Sequence, residues 1–582
     1  MSEDTTITHE PVDDVPVIIA WLLAMRLDVL VDSILPRPHG NWKGLTYGQV
    51  TVIWLAHILS QADHRLCPVE EWVGKRLEVL HGCTGWPVTA QDLSDDRLEI
   101  VLDLLGDEES RPWEALDREM GRHLIQAYHL PTDTARIDTT SFSVYHGENG
   151  PDGGPYSLLR FGKSKDHRPD LRQFVQALGT LDPAGVPLVS ALLRGNQNDS
   201  PVYLPIWRQM VEMIGRPDFL LVGDCKLSSL VNRVQLHLEG GLYLSPLAMT
   251  GQWPAVLQAW VLDPPAPVID IFLPEQQPGE GPAYRGFVME LGVLGRDPTT
   301  QAPVGWMEQV FVVCNTHTAQ REVRALRRRL ERTEAALDRM AQRPGSDPQV
   351  LHQRVTALLE KEKVADYLQV TIHDQVTRTE RLVGRGRRGP DRPTQIVEQH
   401  QLTLTVTRQE AAIAQAEKLA GWRLYVTNAT PEQMSVGQSV AYYREQWQPE
   451  RGFHRWKQGG LPVLPVYLHY EQRIRGLMVL LSVGLRVLTL VEFVVRRELE
   501  QGQEKIPGLY EGNRKRATAR PTTERLLRAF AGIGLYRLQT GNQVSYQLTP
   551  LSNVQQRILN LMSLPADLYT RLVPGAKFAG GG

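Results

Sequence analysis

The chain has 582 residues, which is enough for about three to five domains. Its hydrophobic share of 42% and charged share of 22% are those of an ordinary globular protein, and its four cysteines lack the spacing of a disulfide framework or a metal site. The formal net charge of -3 excludes a general electrostatic attraction to nucleic acid, so any DNA binding must come from local basic patches.

The first part of the chain is predicted to be helical. Residues 1–14 are acidic and polar, which predicts a disordered start without a signal peptide, and hence a cytoplasmic location. Residues 1–130 form an N-terminal all-helical domain, with an amphipathic helix at 50–59 and two short helices at 89–105. Such a domain is either a helix-turn-helix reader of DNA ends or a packing domain, and the pattern alone leaves both open.

Two short predicted strands each carry an aspartate. Asp138 lies in the β-rich run 134–145, and Asp224 closes the run 219–224. A hairpin at 173–193 and a helix follow the first strand. This order of strands, helix and strand is that of an RNase H-like core, although an aspartate beside a strand is more often a turn or cap residue.

Cationic residues follow the first of these strands, at Lys163, Lys165, His167 and Arg168. Such a run is usually a solvated face, but its position after the Asp138 strand also suits contacts with phosphates. A second basic run, at 385–392, is explained equally well by phosphate contact and by solubility.

A domain is inserted between Asp224 and Glu450, because the 226 residues that separate them are far too many for a loop. The inserted part, at 241–420, contains strand-like runs. Between these runs, apolar residues at three-four spacing predict an antiparallel coiled-coil hairpin at about 317–368. A structural spacer explains this hairpin better than a direct contact with DNA.

The stretch 443–457 carries the strongest chemical pattern. On a helix, positions seven apart share one face, which brings Tyr443, Glu450 and Lys457 together. A carboxylate beside a phenol and an ammonium suits a metal-assisted site on a phosphate backbone, although a surface helix with two aromatic residues toward the core explains the same pattern. Pro449 lacks an N–H and predicts a kink or a restart of the helix.

The last part of the chain is predicted to be a buried helix and a terminal module. The apolar run 475–497 contains charged residues, which indicates a buried helix rather than a membrane span. Residues 501–582 are predicted to form a basic linker and a small helical module.

Asp138, Asp224 and Glu450 together form the candidate catalytic and metal-binding site. Two strand-borne aspartates and one helix-borne glutamate can converge to hold two Mg²⁺ ions, or Mn²⁺ in their place. Such a pair of ions clamps the attacking and leaving oxygens of a phosphoryl transfer.

These residues resemble the bacterial DDE transposases of the insertion-sequence-four type. In that family the acids follow the order Asp, Asp, Glu, the last within the pattern Tyr-x2-Arg-x3-Glu-x6-Lys. Tyr443, Glu450 and Lys457 match the pattern, and Gln446 stands where the family has an arginine. Four further segments look like the subgroup with a long insertion, namely 93–98, 163–173, 521–527 and 548–552.

The resemblance implies a fold, a substrate and a set of DNA contacts. The fold is α/β, with an RNase H-like core at 131–240 and 421–500 that the β-rich insertion at 241–420 interrupts. The substrate is double-stranded DNA, both the terminal inverted repeats and the target, held by a homodimer near the bacterial nucleoid without a membrane. The implied DNA-binding residues are Tyr443, Arg444, Gln446, Arg451, Lys457, Lys163, Lys165, His167, Arg168, Lys226 and Trp422.

The departure at Gln446 removes a charge that the family pattern supplies. Arg444 and Arg451 are candidates for replacing it, and a kink at Pro449 is the expected means of reorienting them. We therefore predict that Gln446→Arg raises DNA-end affinity or cleavage and that Arg451→Ala lowers both.

The sequence thus predicts a cut-and-paste DNA transposase that cleaves element ends and transfers them to target DNA. A domesticated nuclease that cuts without inserting is the alternative within the same class. A catalytically inactive DNA-binding protein is the alternative from a different class. Cleavage and joining of DNA with the inverted repeats that bracket the gene would separate the three.

Overall fold

The computed structural model of the protein describes residues 5–145, 157–274, 276–277, 279–383, 394–513 and 515–573. The protein is a mixed α/β structure, as predicted, and the chain divides into two compact units. The first unit comprises Met1–Ser245, Leu294–Trp306 and Tyr442–Gly582, and the second comprises Pro246–Val293 and Met307–Ala441. The predicted basic run at 385–392 lies outside the described residues, which break off after 383 and resume at 394.

The N-terminal part of the first unit is a strand followed by helices. They are β1 (Thr5–Pro11), α1 (Val15–Ala24), α2 (Leu27–Ile34), α3 (Tyr47–Gln61), α4 (Val69–Gly74), α5 (Leu77–Thr84), a 3-10 turn (Ala90–Leu93), α6 (Asp95–Leu105) and α7 (Pro112–Tyr128). Helix α3 begins at a capping box, in which Gln49 N donates to Thr46 Oγ1 at 3.2 Å and Thr46 N donates to Gln49 Oε1 at 3.0 Å. The predicted helices are confirmed, but the disorder predicted for residues 1–14 is wrong from residue 5 onward, because β1 is a paired strand, and residues 1–4 lie outside the described residues.

The sheet that carries the two aspartates follows. Its elements are β2 (Thr134–Val144), β3 (Arg172–Leu181), β4 (Val186–Arg194), a 3-10 turn (Ser200–Val202), α8 (Tyr203–Ile214), β5 (Leu220–Gly223), α9 (Leu230–Leu238) and β6 (Leu242–Pro246). In the first unit these strands lie in the order β4-β3-β2-β5-β6. Strand β2 is antiparallel to β3 and parallel to β5, and the predicted hairpin is β3–β4.

The second unit contains the predicted helical hairpin. Its elements are α10 (Trp253–Leu262), β7 (Ile269–Ile271), β8 (Tyr284–Arg296), β9 (Pro303–Asn315), α11 (Thr316–Gln342), α12 (Pro348–Glu362), β10 (Leu368–Leu382), β11 (Thr394–Arg408), α13 (Glu410–Leu419), β12 (Trp422–Thr427) and α14 (Val436–Arg444). Three of these elements, β8, β9 and α14, include residues that belong to the first unit. Helices α11 and α12 pack through leucines such as Leu330 and Leu351. The same apolar core includes Leu368 and Leu402 of the β10–β11 ribbon, so the hairpin is anchored on strands.

The remaining elements belong to the first unit. They are α15 (Trp447–Gln458), α16 (Glu471–Gln501), β13 (Ile506–Pro507), β14 (Ala517–Thr518), α17 (Thr523–Arg528), β15 (Gly534–Thr540), β16 (Gln543–Leu548), α18 (Asn553–Leu561) and a 3-10 turn (Thr570–Leu572). Strands β1, β15 and β16 form one antiparallel sheet. The predictions of an all-helical N-terminal domain and a helical C-terminal module are therefore too simple, because each contributes strands to this shared sheet.

Helix α16 has the length and composition of a membrane-spanning helix, the one such helix in the described parts of the chain. Its apolar window is 89% buried inside the protein. Such burial is what a core helix shows, and it agrees with the buried helix predicted at 475–497.

Candidate active site

Asp138 and Asp224 lie side by side on neighbouring strands. The parallel strands β2 and β5 pair Ile137 with Gly223, and each aspartate is the next residue of its chain. Because adjacent strands are about 4.8 Å apart, this register brings two carboxylates from distant parts of the sequence to one place. Both aspartates are half-buried.

Asp224 is held by hydrogen bonds that the sequence did not indicate. Tyr203 Oη donates to Asp224 Oδ1 at 2.7 Å, and Lys226 N donates to the same oxygen at 2.8 Å. Ser245 Oγ donates to the Asp224 backbone oxygen at 2.7 Å. Tyr203 is 1% exposed, so its ring is a rigid support for the carboxylate. A tyrosine opening the helix before the Asp224 strand was the available signal.

Asp138 has one nearby cation and two nearby anions. Thr139 N donates to Asp138 Oδ1 at 2.8 Å, and the Lys165 ammonium donates to Thr139 O at 2.5 Å and to Thr139 Oγ1 at 2.7 Å. Burial raises the pKa of Asp138 to about 6. Lys165 opposes this rise, whereas the charges of Asp224 and Glu450 add to it.

Glu450 lies in the first turn of α15, where the helix dipole favours a negative charge. The helix approaches the sheet closely because Gly452 has no side chain. A Cβ there would lie 3.2 Å from Leu485 of α16 and 3.5 Å from Leu178 of β3. Leu178 is the β3 partner of Asp138, so this packing brings the Glu450 turn toward the aspartates. We call Asp138, Asp224 and Glu450 the acidic cluster.

Tyr443 lies near the acidic cluster but not on the helix of Glu450. The structure breaks the predicted helix between Arg444, the last residue of α14, and Trp447, the first residue of α15. Pro449 therefore falls in a first turn, where its missing N–H costs nothing. Burial raises the pKa of Tyr443 to about 12, and the acidic cluster acts in the same direction.

The acidic cluster suits a hard divalent cation by its chemistry. Mg²⁺ takes oxygen ligands and is usually held by one or two carboxylates, with waters and substrate phosphates completing its shell. In the described parts of the chain, no group of three or more His, Cys, Asp or Glu side chains is gathered closely enough to hold a metal ion. Asp138, Asp224 and Glu450 alone therefore do not enclose a metal ion, and an ion bound there would need water or a phosphate as further ligands.

The side chain of Gln446 is partly buried and contacts the protein. Its Oε1 accepts a hydrogen bond from Arg136 Nη1 at 3.3 Å, and its Nε2 is buried without a partner in the described residues. Arg136 is fully buried and donates to both oxygens of Asp182 at 2.7–2.9 Å, and to Tyr442 O at 2.8 Å. The Arg136 guanidinium therefore holds Tyr442 and Gln446, which precede α15 within the first unit. Arg136 lies two residues before Asp138 on the same face of β2, and this spacing is the feature of the sequence that could have identified it.

Arg451 is engaged in a buried ion-pair network. Its Nη2 lies 2.6 Å from Glu492 Oε1, and Glu492 also pairs with Arg455 and with Arg496. Arg455 Nε lies 2.7 Å from Glu524 Oε1. We call these five residues the arginine–glutamate network. It locks α15 onto α16 and α17, so Arg451 does not supply the charge that is missing at Gln446.

The structure gives Lys457 and Arg168 acidic partners. Lys457 Nζ lies 2.6 Å from Asp166 Oδ1 and above the Phe142 ring of β2. Arg168 is paired with Asp170. Their roles in DNA binding stay predictions.

The other predicted DNA-binding residues differ in exposure. Lys163, Lys165, His167, Lys226 and Arg444 are exposed. Trp422 is 4% exposed in the second unit, beside Phe287 and Arg285. A base cannot stack on an indole that is buried in this way, so Trp422 is a packing residue in this structure.

A comparison with models of known protein families and with curated proteins finds no match to this chain.

Proposed function

We propose that the protein is a DDE-type DNA transposase that cuts DNA at the ends of its element and joins those ends to target DNA. The observation that carries the proposal is the acidic cluster, whose three carboxylates come from three distant segments of the chain. Burial raises the pKa of Asp138, and the charges of Asp224 and Glu450 add to that rise, so the three carboxylates act on one another electrostatically. A carboxylate such as Asp138, whose pKa is raised by burial and by neighbouring carboxylates, is typical of catalytic sites.

The topology of the sheet supports the same proposal. The order β4-β3-β2-β5-β6, with β2 antiparallel to β3 and parallel to β5, is the arrangement expected of an RNase H-like core. Asp138 lies on the central strand and Asp224 directly after its parallel neighbour. The resemblance of the 443–457 stretch to the insertion-sequence-four type adds the DNA substrate.

The chain's own residues position the reacting groups. Asp138, Asp224 and Glu450 would hold two Mg²⁺ ions, which when bound activate water or a 3′-OH and stabilise the leaving oxygen. Tyr203 and the Lys226 amide fix one oxygen of Asp224. The Tyr443 hydroxyl, like an ordinary phenol, is neutral at physiological pH and can donate a hydrogen bond to a phosphate, and its raised pKa of about 12 extends that state to higher pH.

DNA that includes the inverted repeats bracketing the gene tests the proposal. With Mg²⁺ or Mn²⁺, the protein should nick at the repeat ends and join the released 3′ ends to a second DNA. Cleavage without joining would indicate the domesticated nuclease. Specific binding without cleavage, with either metal, would overturn the proposal in favour of an inactive DNA-binding protein.

A further inference from the structure

Helix α11 of the second unit carries an exposed basic stripe, made of His317, Arg321, Arg324 and Arg328. All four residues are exposed, and a shallow groove of about 250 Å³ runs between them. Their spacing of four, three and four residues puts them on one helix face.

The stripe lies opposite the packed face of α11. The buried face consists of Leu326, Leu330, Thr333 and Leu337. At about 100° per residue, the stripe is turned roughly 180° from that face. Burial of the stripe within the hairpin is therefore excluded by the geometry of the helix.

The stripe also differs from several other charged residues of α11, which form ion pairs within the second unit. Arg327 pairs with Glu417, and Glu334 pairs with Arg408. In contrast, the described residues form no ion pair with any member of the stripe. Like charges three and four residues apart destabilise a helix by about 0.2–0.5 kcal/mol per pair, so the arginines of the stripe weaken α11 slightly unless an anion binds them.

We propose that this basic stripe docks on the phosphate backbone of duplex DNA. The four side chains span about 16 Å along the helix, since each residue adds about 1.5 Å. One DNA strand presents a phosphate about every 3.4 Å along its axis, so several phosphates lie within that span. This inference rests on the proposed function for its choice of DNA, and it gives the helical hairpin a binding role in place of the predicted spacer role.

The test is the salt dependence of binding to a short duplex of random sequence, measured with the full-length protein. The slope of log K against log salt is negative, and each phosphate contact adds about 0.9 to its steepness. The variant Arg321→Gln/Arg324→Gln/Arg328→Gln should therefore make the slope less steep by about two to three. Lysine at the same three positions keeps the charge and should keep the slope. The matched control, Arg354→Gln/Lys361→Gln/Lys418→Gln, removes three exposed charges from the same unit and should leave the slope nearly unchanged.

An unchanged slope in the stripe variant, with an unchanged melting temperature, would overturn the inference. An equal loss in the control would also overturn it, because the effect would then belong to net charge. Tighter, stripe-dependent binding of duplex RNA than of duplex DNA would overturn the choice of partner. A wild-type protein that binds through the stripe but never cleaves would leave the inference standing and sink the proposed function.

Discussion

Two clusters of charged residues in the first unit differ in how their charges are neutralised. One cluster pairs glutamates with arginines, and the other brings three carboxylates together. In the arginine–glutamate network, Glu492 contacts three arginines, and Arg455 contacts a second glutamate as well. In the acidic cluster, three carboxylates lie near one another, and burial and repulsion raise the pKa of Asp138 although Lys165 opposes the rise. Buried charges that serve structure are paired. Carboxylates that raise one another's pKa, as Asp224 and Glu450 do for Asp138, are therefore the ones to examine for a bound metal and for chemistry.

The largest effect is expected in the paired cluster. Glu492→Gln would leave three arginines without their shared anion, and breaking a buried pair in this way typically costs about 3–5 kcal/mol. Chemical denaturation should show this loss, whereas the exposed control Glu500→Gln on the same helix should change stability by at most about 0.5 kcal/mol. Equal stability of the two variants would mean that the network does not hold α15 in place.

Removing a charge from the acidic cluster should stabilise the folded protein, whereas removing one from the arginine–glutamate network should destabilise it. The folded-state pKa of Asp138 is raised to about 6 from 3.8, so the folded state binds this proton more tightly. Its stabilising effect is complete below about pH 4 and is lost as the pH rises through about 6. Without metal, Asp138→Asn should therefore be more stable than the wild type at pH 7, by on the order of 2 kcal/mol.

Unfolding curves at several pH values, in the presence of a chelator, measure this difference. The gap between Asp138→Asn and the wild type should open between pH 4 and 6. The exposed control Asp338→Asn should follow the wild type throughout. A stability difference that does not change with pH would show that the surroundings of Asp138 do not raise its pKa in the folded state.

A charge at Gln446 should now be harmful, contrary to the prediction from the sequence. The Gln446 side chain accepts from the fully buried Arg136, so Gln446→Arg would bring two guanidinium groups together. We expect a loss of about 1–3 kcal/mol of stability and no gain in DNA-end affinity. The control Gln458→Arg, at the exposed end of the same helix, should be neutral. Tighter DNA binding by a stable Gln446→Arg variant would restore the original prediction.

The smallest effect concerns the ion pair between Lys457 and Asp166. If Lys457 contacts a phosphate when DNA binds, Lys457→Gln should reduce the salt slope of end binding by about 0.9. Asp166→Asn frees the same ammonium and should strengthen binding at a given salt concentration. The exposed control Lys361→Gln should change neither quantity. Opposite-sign results for the two variants support a phosphate contact, and identical results contradict it.

The parts of the fold that were predicted depend on local patterns. Alternation and β-branched residues identify β2, and the Asp182-Pro-Ala-Gly185 turn identifies the β3–β4 hairpin. The three-four spacing of leucines identifies the α11–α12 hairpin. In each case the residues that determine the element lie within the element itself.

The parts that were missed depend on distant partners. Strand β1 is ordered by pairing with β15, with Ile7 opposite Leu538, and a polar segment gives no local sign of such a partner. Likewise, Arg136 ties β2 to Tyr442 and Gln446 about three hundred residues later. The acids of the candidate site were proposed from their order in the chain, but their environment, which decides the pKa of Asp138, required the structure.

The most direct test of the acidic cluster is cleavage of DNA ends by Asp138→Asn, Asp224→Asn and Glu450→Gln, with end binding measured in parallel. Each variant should retain binding and lose cleavage in Mg²⁺ by about a thousandfold or more, because each removes a charge that the reaction requires. Glu500→Gln should cleave like the wild type. Near-wild-type cleavage by any of the three variants would contradict the assignment of the acidic cluster as the catalytic centre.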